Sequence, residues 1–372
     1  MDIMRVRRRL ARLLDPETFK KNGDLERAFK VAGAKSKGDR GRSAEAIESD
    51  FKAISPREHT GADAEYVLEQ YEAVWTRRME TARRRMDAGE SLAHIMAHLR
   101  PPMHQAKGYK RVSAAVANKL VQNGQLSADG VALARLSVCD SRFTIVPNFD
   151  PIYAVFKLAA KAKNVVEFGA GPGWNLFDLS IHLGNAVKRK ALFGLEYTQA
   201  GVDFMNMING REGLPLTAHR FDYTKPDLSM VPDDGHTLFF SHHSIEQVET
   251  ISPELYKQIL ARKSSATLVH IEPIGWQRFP EMMRARKAGA RDMRSLAAIR
   301  TTDLTSDRAP AINSALNSWR AGYNTNALGL IRQMEENPRA KISLCLYDFN
   351  HRYNHNAANP STYVEVDIAE RA

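Results

Sequence analysis

Two short stretches concentrate the side chains and backbone able to do chemistry. "VVEFGAGPGWN", residues 165–175, sets Gly169, Gly171 and Gly173 directly after an apolar run that carries Glu167. Glycines at the end of a strand let backbone approach a ligand with no β-carbon in the way. "FFSHHSIEQ", residues 239–247, sets Ser241, His242, His243 and Glu246 where another apolar run meets its loop. Imidazole titrates near neutral pH, so a histidine there can take a proton from a hydroxyl. Neighbouring strand residues point opposite ways, so one of the two histidines faces the cleft. His243, farther towards the loop, is the favoured one. A third run ends "VHIEPIGW", which brings His270, Glu272 and Trp276 towards the same place. Glu272 is a second candidate base or an acceptor-binding carboxylate.

The elements that must position these residues begin near residue 148. Helical segments there alternate with short apolar runs at 164–169, 190–197, 216–223, 236–244 and 265–274. Such alternation builds a parallel sheet with crossovers. Two final runs, 341–350 and 361–369, have only a loop between them, so that pair is antiparallel. Seven strands result, with the glycine loop after the first. Ligands of open α/β sheets sit in the crevice at the carboxyl ends of the strands. The glycine spacing is not the dinucleotide form G-x-G-x-x-G, whose third glycine would fall at position 174, occupied by Trp174.

The form E-F-G-A-G-P-G, the strand order and the antiparallel end resemble the class I S-adenosylmethionine-dependent methyltransferases over about residues 148–372. The resemblance implies a seven-stranded Rossmann-like α/β sheet whose last strand inserts antiparallel. It implies that Gly169, Gly171 and Gly173 approach S-adenosylmethionine and that Glu167 helps hold its methionine end. Glu196, ending the second strand in "LFGLEY", would grip the ribose hydroxyls. Asp222, in "RFDY", would meet the adenine amino group, with Phe221 or Tyr223 packed on the ring. The N/D-P-P-Y/F signature of amino-group methyltransferases is missing, which argues for an oxygen acceptor. "HSIEQ", "HIEP", "YNTN" and "NPST" are similar in order to bacterial sugar and polysaccharide O-methyltransferases. Methyl transfer to a hydroxyl of a sugar, glycan or related metabolite is therefore the expected activity. RNA methylation and a catalytically silent binding module are the alternatives. A segment at about 277–310 would cover the acceptor, with Arg278, Arg284, Arg286, Arg291 and Arg294 available to an anionic substrate.

The rest of the chain sets bounds. Residues 1–147 read as a helical N-terminal region, strongest over "DAEYVLEQYEAVWTRRMETARRRMDAG" and again over 107–125, with a mobile glycine-rich loop at 33–43. This region is a candidate homo-oligomer contact. The chain carries a net charge of +10, and residues 1–150 hold 27 Lys+Arg against 20 Asp+Glu. Stacking aromatics do not accompany the basic runs, so nucleic acid is a weaker partner than a small molecule or glycan. No apolar run approaches the roughly 20 residues of a membrane helix. Cys139 and Cys345 define no disulfide framework. His94, His98 and His104 lack the form of a metal site. The expected compartment is the cytoplasm. A polar loop with Asn354, His355 and Asn359 is either a surface turn or a contact for hydroxyls.

Overall fold

Strand pairing divides the described residues between two units of the computed structural model. Described are residues 64–99, 109–111, 137–139, 144–146, 152–298, 308–348 and 360–371. The units are Met1–Ala46 with Pro102–Phe149, and Ile47–Pro101 with Asp150–Ala372. This division places residues 47–101 with the sheet unit, unlike a boundary at 147/148. In the first unit β1 (Tyr109–Arg111), β2 (Ser137–Cys139) and β3 (Thr144–Val146) pair antiparallel in that order. These strands correct the reading of residues 1–147 as a helical region, and the helix expected over 107–125 contains β1. Their stability comes from pairing with residues distant in sequence, which a local helical period does not register. The loop at 33–43, His104 and the polar loop at 354–359 lie outside the described residues.

The second unit holds all seven expected strands: β4 (Asn164–Phe168), β5 (Ala191–Glu196), β6 (Leu216–Arg220), β7 (Thr237–His242), β8 (Ala266–Glu272), β9 (Ala340–Leu346) and β10 (Thr362–Ile368). Their order is β6-β5-β4-β7-β8-β10-β9. β4 to β8 pair in parallel, and β10 runs antiparallel to both its neighbours. β4 and β8 are buried at every position, as expected of strands covered on both faces. The chain passes from β6 to β7 through residues 221–236 without a helix, burying Phe221, Tyr223, Leu228 and Val231 on the way.

The helices of this unit are α1 (Ala64–Asp87), α2 (Leu92–Leu99), α3 (Ile152–Ala159), α4 (Trp174–Leu183), α5 (Gln199–Glu212), α6 (Glu254–Ala261), α7 (Pro280–Ala288), α8 (Ala290–Ala298), α9 (Arg308–Ala321) and α10 (Ala327–Gln333). None among the described residues is long and apolar enough to cross a membrane. The expected covering segment forms α7, α8 and the start of α9, which pack with Trp276 in a hydrophobic cluster of their own. α9 had no counterpart in the sequence reading. α1 carries Leu68, Tyr71, Val74 and Trp75 at helical spacing, and all four are partly buried. The first two amides of α5, Gln199 N and Ala200 N, donate to the Glu72 carboxylate of α1 at 2.6 and 2.8 Å. A negative group at a helix start satisfies orphan amides and meets the positive end of the helix dipole. Thr198 completes the cap by accepting from Gly201 N at 3.2 Å.

Glu72→Ala removes two of those acceptors. The expected loss is about 1 kcal/mol of unfolding free energy, the usual cost of a lost helix cap. Urea denaturation checks it, and an unchanged midpoint would show that Thr198 and water suffice.

Candidate active site

β4 and β5 are parallel neighbours with Phe168 beside Leu195, so Glu196 ends β5 next to the glycine loop that follows β4. Its buried carboxylate accepts from Gly171 N at 2.8 Å, and from Thr198 N and Oγ1 at 3.0 and 2.6 Å. Burial raises its pKa, and the bonds from Thr198 and Gly171 oppose that rise. Gly169, Gly171 and Gly173 have φ of +62°, +55° and +84°, the left-handed region that glycine adopts without cost. A β-carbon on Gly169 would stand 2.3 Å from Ser244 Cβ. Glu167 is buried in β4 and accepts from Asn175 Nδ2 of α4 at 2.5 Å. Asp222 Oδ1 caps its own turn, accepting from Thr224 N and Oγ1 at 2.7 Å each. Tyr223 is buried, and its hydroxyl meets Ser244 Oγ at 2.7 Å. Ser244 Oγ donates to Phe168 O at 2.9 Å, so the tyrosine donates to the serine.

α1 contributes an aromatic pair that sequence reasoning left unassigned. Tyr71 and Trp75 stack with ring centroids 5.6 Å apart. A β-carbon on Gly171 would lie 3.3 Å from Trp75 Cζ2, so the indole lies against the loop. The Tyr71 phenol is pushed up to about 12 by burial and then by the negative charges of Glu246 and Glu196. It therefore keeps its proton at any physiological pH.

Past β7 the backbone turns sharply. His243 has φ of +54°, uncommon for a residue with a β-carbon. Such conformations persist where surrounding structure enforces them, and they cluster at functional sites. The His243 ring packs edge-on against His242 at 5.1 Å. Its Nε2 lies 2.7 Å from Ser361 Oγ and its Nδ1 3.4 Å from Glu246 Oε1. A carboxylate only accepts, so Nδ1–H points to Glu246 and Nε2 accepts from the Ser361 hydroxyl. Ser361 reaches this place because β10 is antiparallel. Thr362 pairs with Glu272, which puts the start of β10 beside the carboxyl end of β8.

Beneath that loop lies a buried chain of hydrogen bonds. Glu272 accepts from Ser241 Oγ at 2.7 Å and from Ser244 N, Ile245 N and Glu246 N at 3.1, 3.3 and 3.4 Å. Ser241 Oγ also meets His270 Nδ1 at 2.8 Å, and His270 Nε2 meets the Tyr256 hydroxyl at 3.2 Å. The donors run one way: Tyr256 to His270, His270 to Ser241, Ser241 to Glu272. Burial holds the His270 pKa down at about 3, so this histidine is neutral. His270 and Glu272, both expected near the cleft, are fully buried, as is Trp276 in its apolar cluster. Arg278 and Arg286 are engaged within the chain. Arg278 pairs with Asp348 at 2.5 Å between the rings of Phe279 and Tyr347, and Arg286 faces Glu249 at 3.8 Å.

The structure thus gathers Glu167, the three glycines, Glu196, Tyr223 and His243 around the carboxyl ends of β4, β5 and β7. Asp222 follows β6 at the same edge with its carboxylate turned to Thr224. Ser361 joins them, as do Tyr71 and Trp75, which the sequence placed on a helix face and not in the site.

No family model matches the chain, and no curated protein matches it significantly. Solved structures do. An S-adenosylmethionine-dependent methyltransferase from Aquifex aeolicus aligns at 12% identity over 60% of this chain and 91% of its own, with a TM-score of 0.34. The CcbJ methyltransferase from Streptomyces caelestis aligns at 13% identity over 60% and 90%, TM-score 0.33. The [4+2]-cyclase SpnF aligns at 11% over 59% and 81%, also 0.33. Five parallel strands take the order third-second-first-fourth-fifth, and the last strand inserts antiparallel before the sixth. The fold is that of the class I methyltransferases. Within this fold the glycine loop occupies the crevice where strand order reverses, between β4 and its neighbours.

Burial raises the Glu272 pKa to about 7 from an ordinary 4.5. The folded chain then binds this proton more tightly than the unfolded chain. The contribution to stability is complete below pH 4.5 and lost as pH rises through about 7. Glu272→Gln should flatten the melting temperature across that window relative to the parent. Parallel pH profiles of the two proteins would show instead that Glu272 does not titrate there.

Proposed function

We propose that the chain is an S-adenosylmethionine-dependent methyltransferase acting on a hydroxyl of a sugar, glycan or related small metabolite. The observation that carries this reading is a convergence at adjacent strand ends. A buried acidic residue bonds the glycine-loop amide, Glu196 to Gly171 N, and an oriented histidine follows the next strand over. The site fits the cofactor. Three residues of its loop, Gly169, Gly171 and Gly173, carry no β-carbon, Glu196 and Glu167 offer carboxylates, and the loop carries no lysine of the kind a phosphate would want. Bound there, S-adenosylmethionine would supply an electrophilic methyl group.

The chain's own residues then have distinct tasks. Glu167 holds the amino-acid end and Glu196 the ribose. Tyr223 supports Ser244 and closes the adenine side, and Asp222 holds Thr224 through Oδ1, which leaves Oδ2 to accept from the adenine amino group. His243 Nε2 already accepts from an alcohol, Ser361, so the same nitrogen is suited to take the proton of an acceptor hydroxyl. Glu246 holds the other nitrogen and stabilises the imidazolium that results. Glu272, enclosed by four donors, acts by positioning the loop that carries His243. Proton removal of this kind typically contributes about 10²–10⁴ in rate.

Two experiments check the reading. Calorimetry should show S-adenosylmethionine or its demethylated product binding the chain, and Gly171→Val should abolish it. With labelled methyl donor and fractionated extract, label should enter glycan or hydroxyl-bearing metabolites; label confined to RNA would replace the acceptor. On the acceptor so found, His243→Asn, which tolerates the left-handed backbone, should lose about 10²–10⁴ in turnover and still bind donor, while His242→Ala stays near the parent. Normal turnover in His243→Asn would remove the base assignment.

A further inference from the structure

We propose that Trp75 of α1 is a cofactor-binding residue whose indole N–H donates to the carboxylate at the amino-acid end of S-adenosylmethionine. This rests on the methyl-donor reading above and adds to it an element outside the sheet.

An indole nitrogen is a donor only, and a buried one ordinarily finds a partner. Trp75 Nε1 is buried and has no hydrogen-bond partner among the described residues. Its location is specific. Cε2, the ring carbon bonded to Nε1, is 3.7 Å from the point a Gly171 β-carbon would occupy, and Cζ2 is 3.3 Å from it. The N–H edge of the ring therefore lies at the middle glycine of the loop. Two other buried indoles also lack partners, but Trp174 packs edge-on against Phe204 and Trp276 lies in the apolar cluster of α7–α9.

Charge selects the ligand group. The Arg78 guanidinium lies 5.0 Å from the Trp75 ring centroid and puts a cation on the indole's side of the loop. Glu167, below the loop in β4, is the opposite pole. A zwitterion laid along the loop puts its ammonium towards Glu167 and its carboxylate towards Trp75 and Arg78. α1 is fixed for the purpose, since Glu72 clamps it to the start of α5 one turn before Trp75. A donor delivered on a docked helix is pre-oriented, and little freedom is lost when it bonds a ligand.

The test compares S-adenosylmethionine with its decarboxylated form, which lacks only the carboxylate, on the full chain and on Trp75→Phe. Phenylalanine keeps the stacked ring and removes the N–H. Calorimetry should show Trp75→Phe binding S-adenosylmethionine about tenfold or more weakly, the scale of a lost charge-assisted hydrogen bond. Its affinity for the decarboxylated form should stay within about twofold of the parent's. Equal weakening towards both ligands, or towards neither, overturns the proposal. If the parent chain binds neither ligand, the methyl-donor reading itself falls first. Should Trp75→Phe not fold, the parent decides. Its four tryptophans give four indole N–H signals by NMR. The Trp75 signal should move with S-adenosylmethionine and not with the decarboxylated form, and identical movement with both overturns the proposal.

Discussion

One buried carboxylate organises the cleft. Glu272 ends β8 with no solvent contact and gathers the amides of Ser244, Ile245 and Glu246. Taking a carboxylate out of water is costly unless donors replace the lost hydration. Here three amides and the Ser241 hydroxyl do so, and the loop after β7 has little choice of conformation as a result. The left-handed turn at His243 follows from that restraint. So does the placement of Ser244, which ties β4 through Phe168 O and the β6 edge through Tyr223. The ends of β4, β6, β7 and β8 are thereby joined through side chains as well as through the sheet.

The cleft has two walls of different origin. One is the row of strand ends, where the parallel sheet reverses direction. The other is α1, drawn from sequence well before the sheet and held by Glu72. This fold hosts many reactions, so its topology alone assigns none. What narrows the chemistry here is local: a glycine-rich loop beside Glu196, and an imidazole whose nitrogens face a carboxylate and a hydroxyl. The neighbouring arginines do less than their number promises. Arg278 and Arg286 answer Asp348 and Glu249 within the chain.

The strands were legible because each is a short, continuous apolar run, which is what burial on both faces requires. Glu196 and the glycine loop were legible because their positions are defined relative to strand ends. Ser361 was not, because its nearness to His243 depends on which neighbour β10 joins and in which direction. Glu272 reads in sequence as a carboxylate approaching the cleft, and only the loop folded over it shows that it is enclosed. In α1 the helical period identified the face to be buried but held no information about what would bury it. The strands between 109 and 146 escaped for a related reason: each is three residues long, and its evidence is a partner elsewhere in the chain.

The Glu72 clamp also sets an order of events during synthesis. Its partners, Gln199 N and Ala200 N, lie 127 and 128 residues downstream. At ordinary elongation rates of about 5–20 residues per second, α1 leaves the ribosome roughly ten seconds before α5 exists to receive it. During that interval Trp75 has no glycine loop to lie against, and Glu72 has no amides to cap. The first part of the cleft to be translated therefore waits for its partners in the sheet, a natural point for a chaperone to engage the nascent chain.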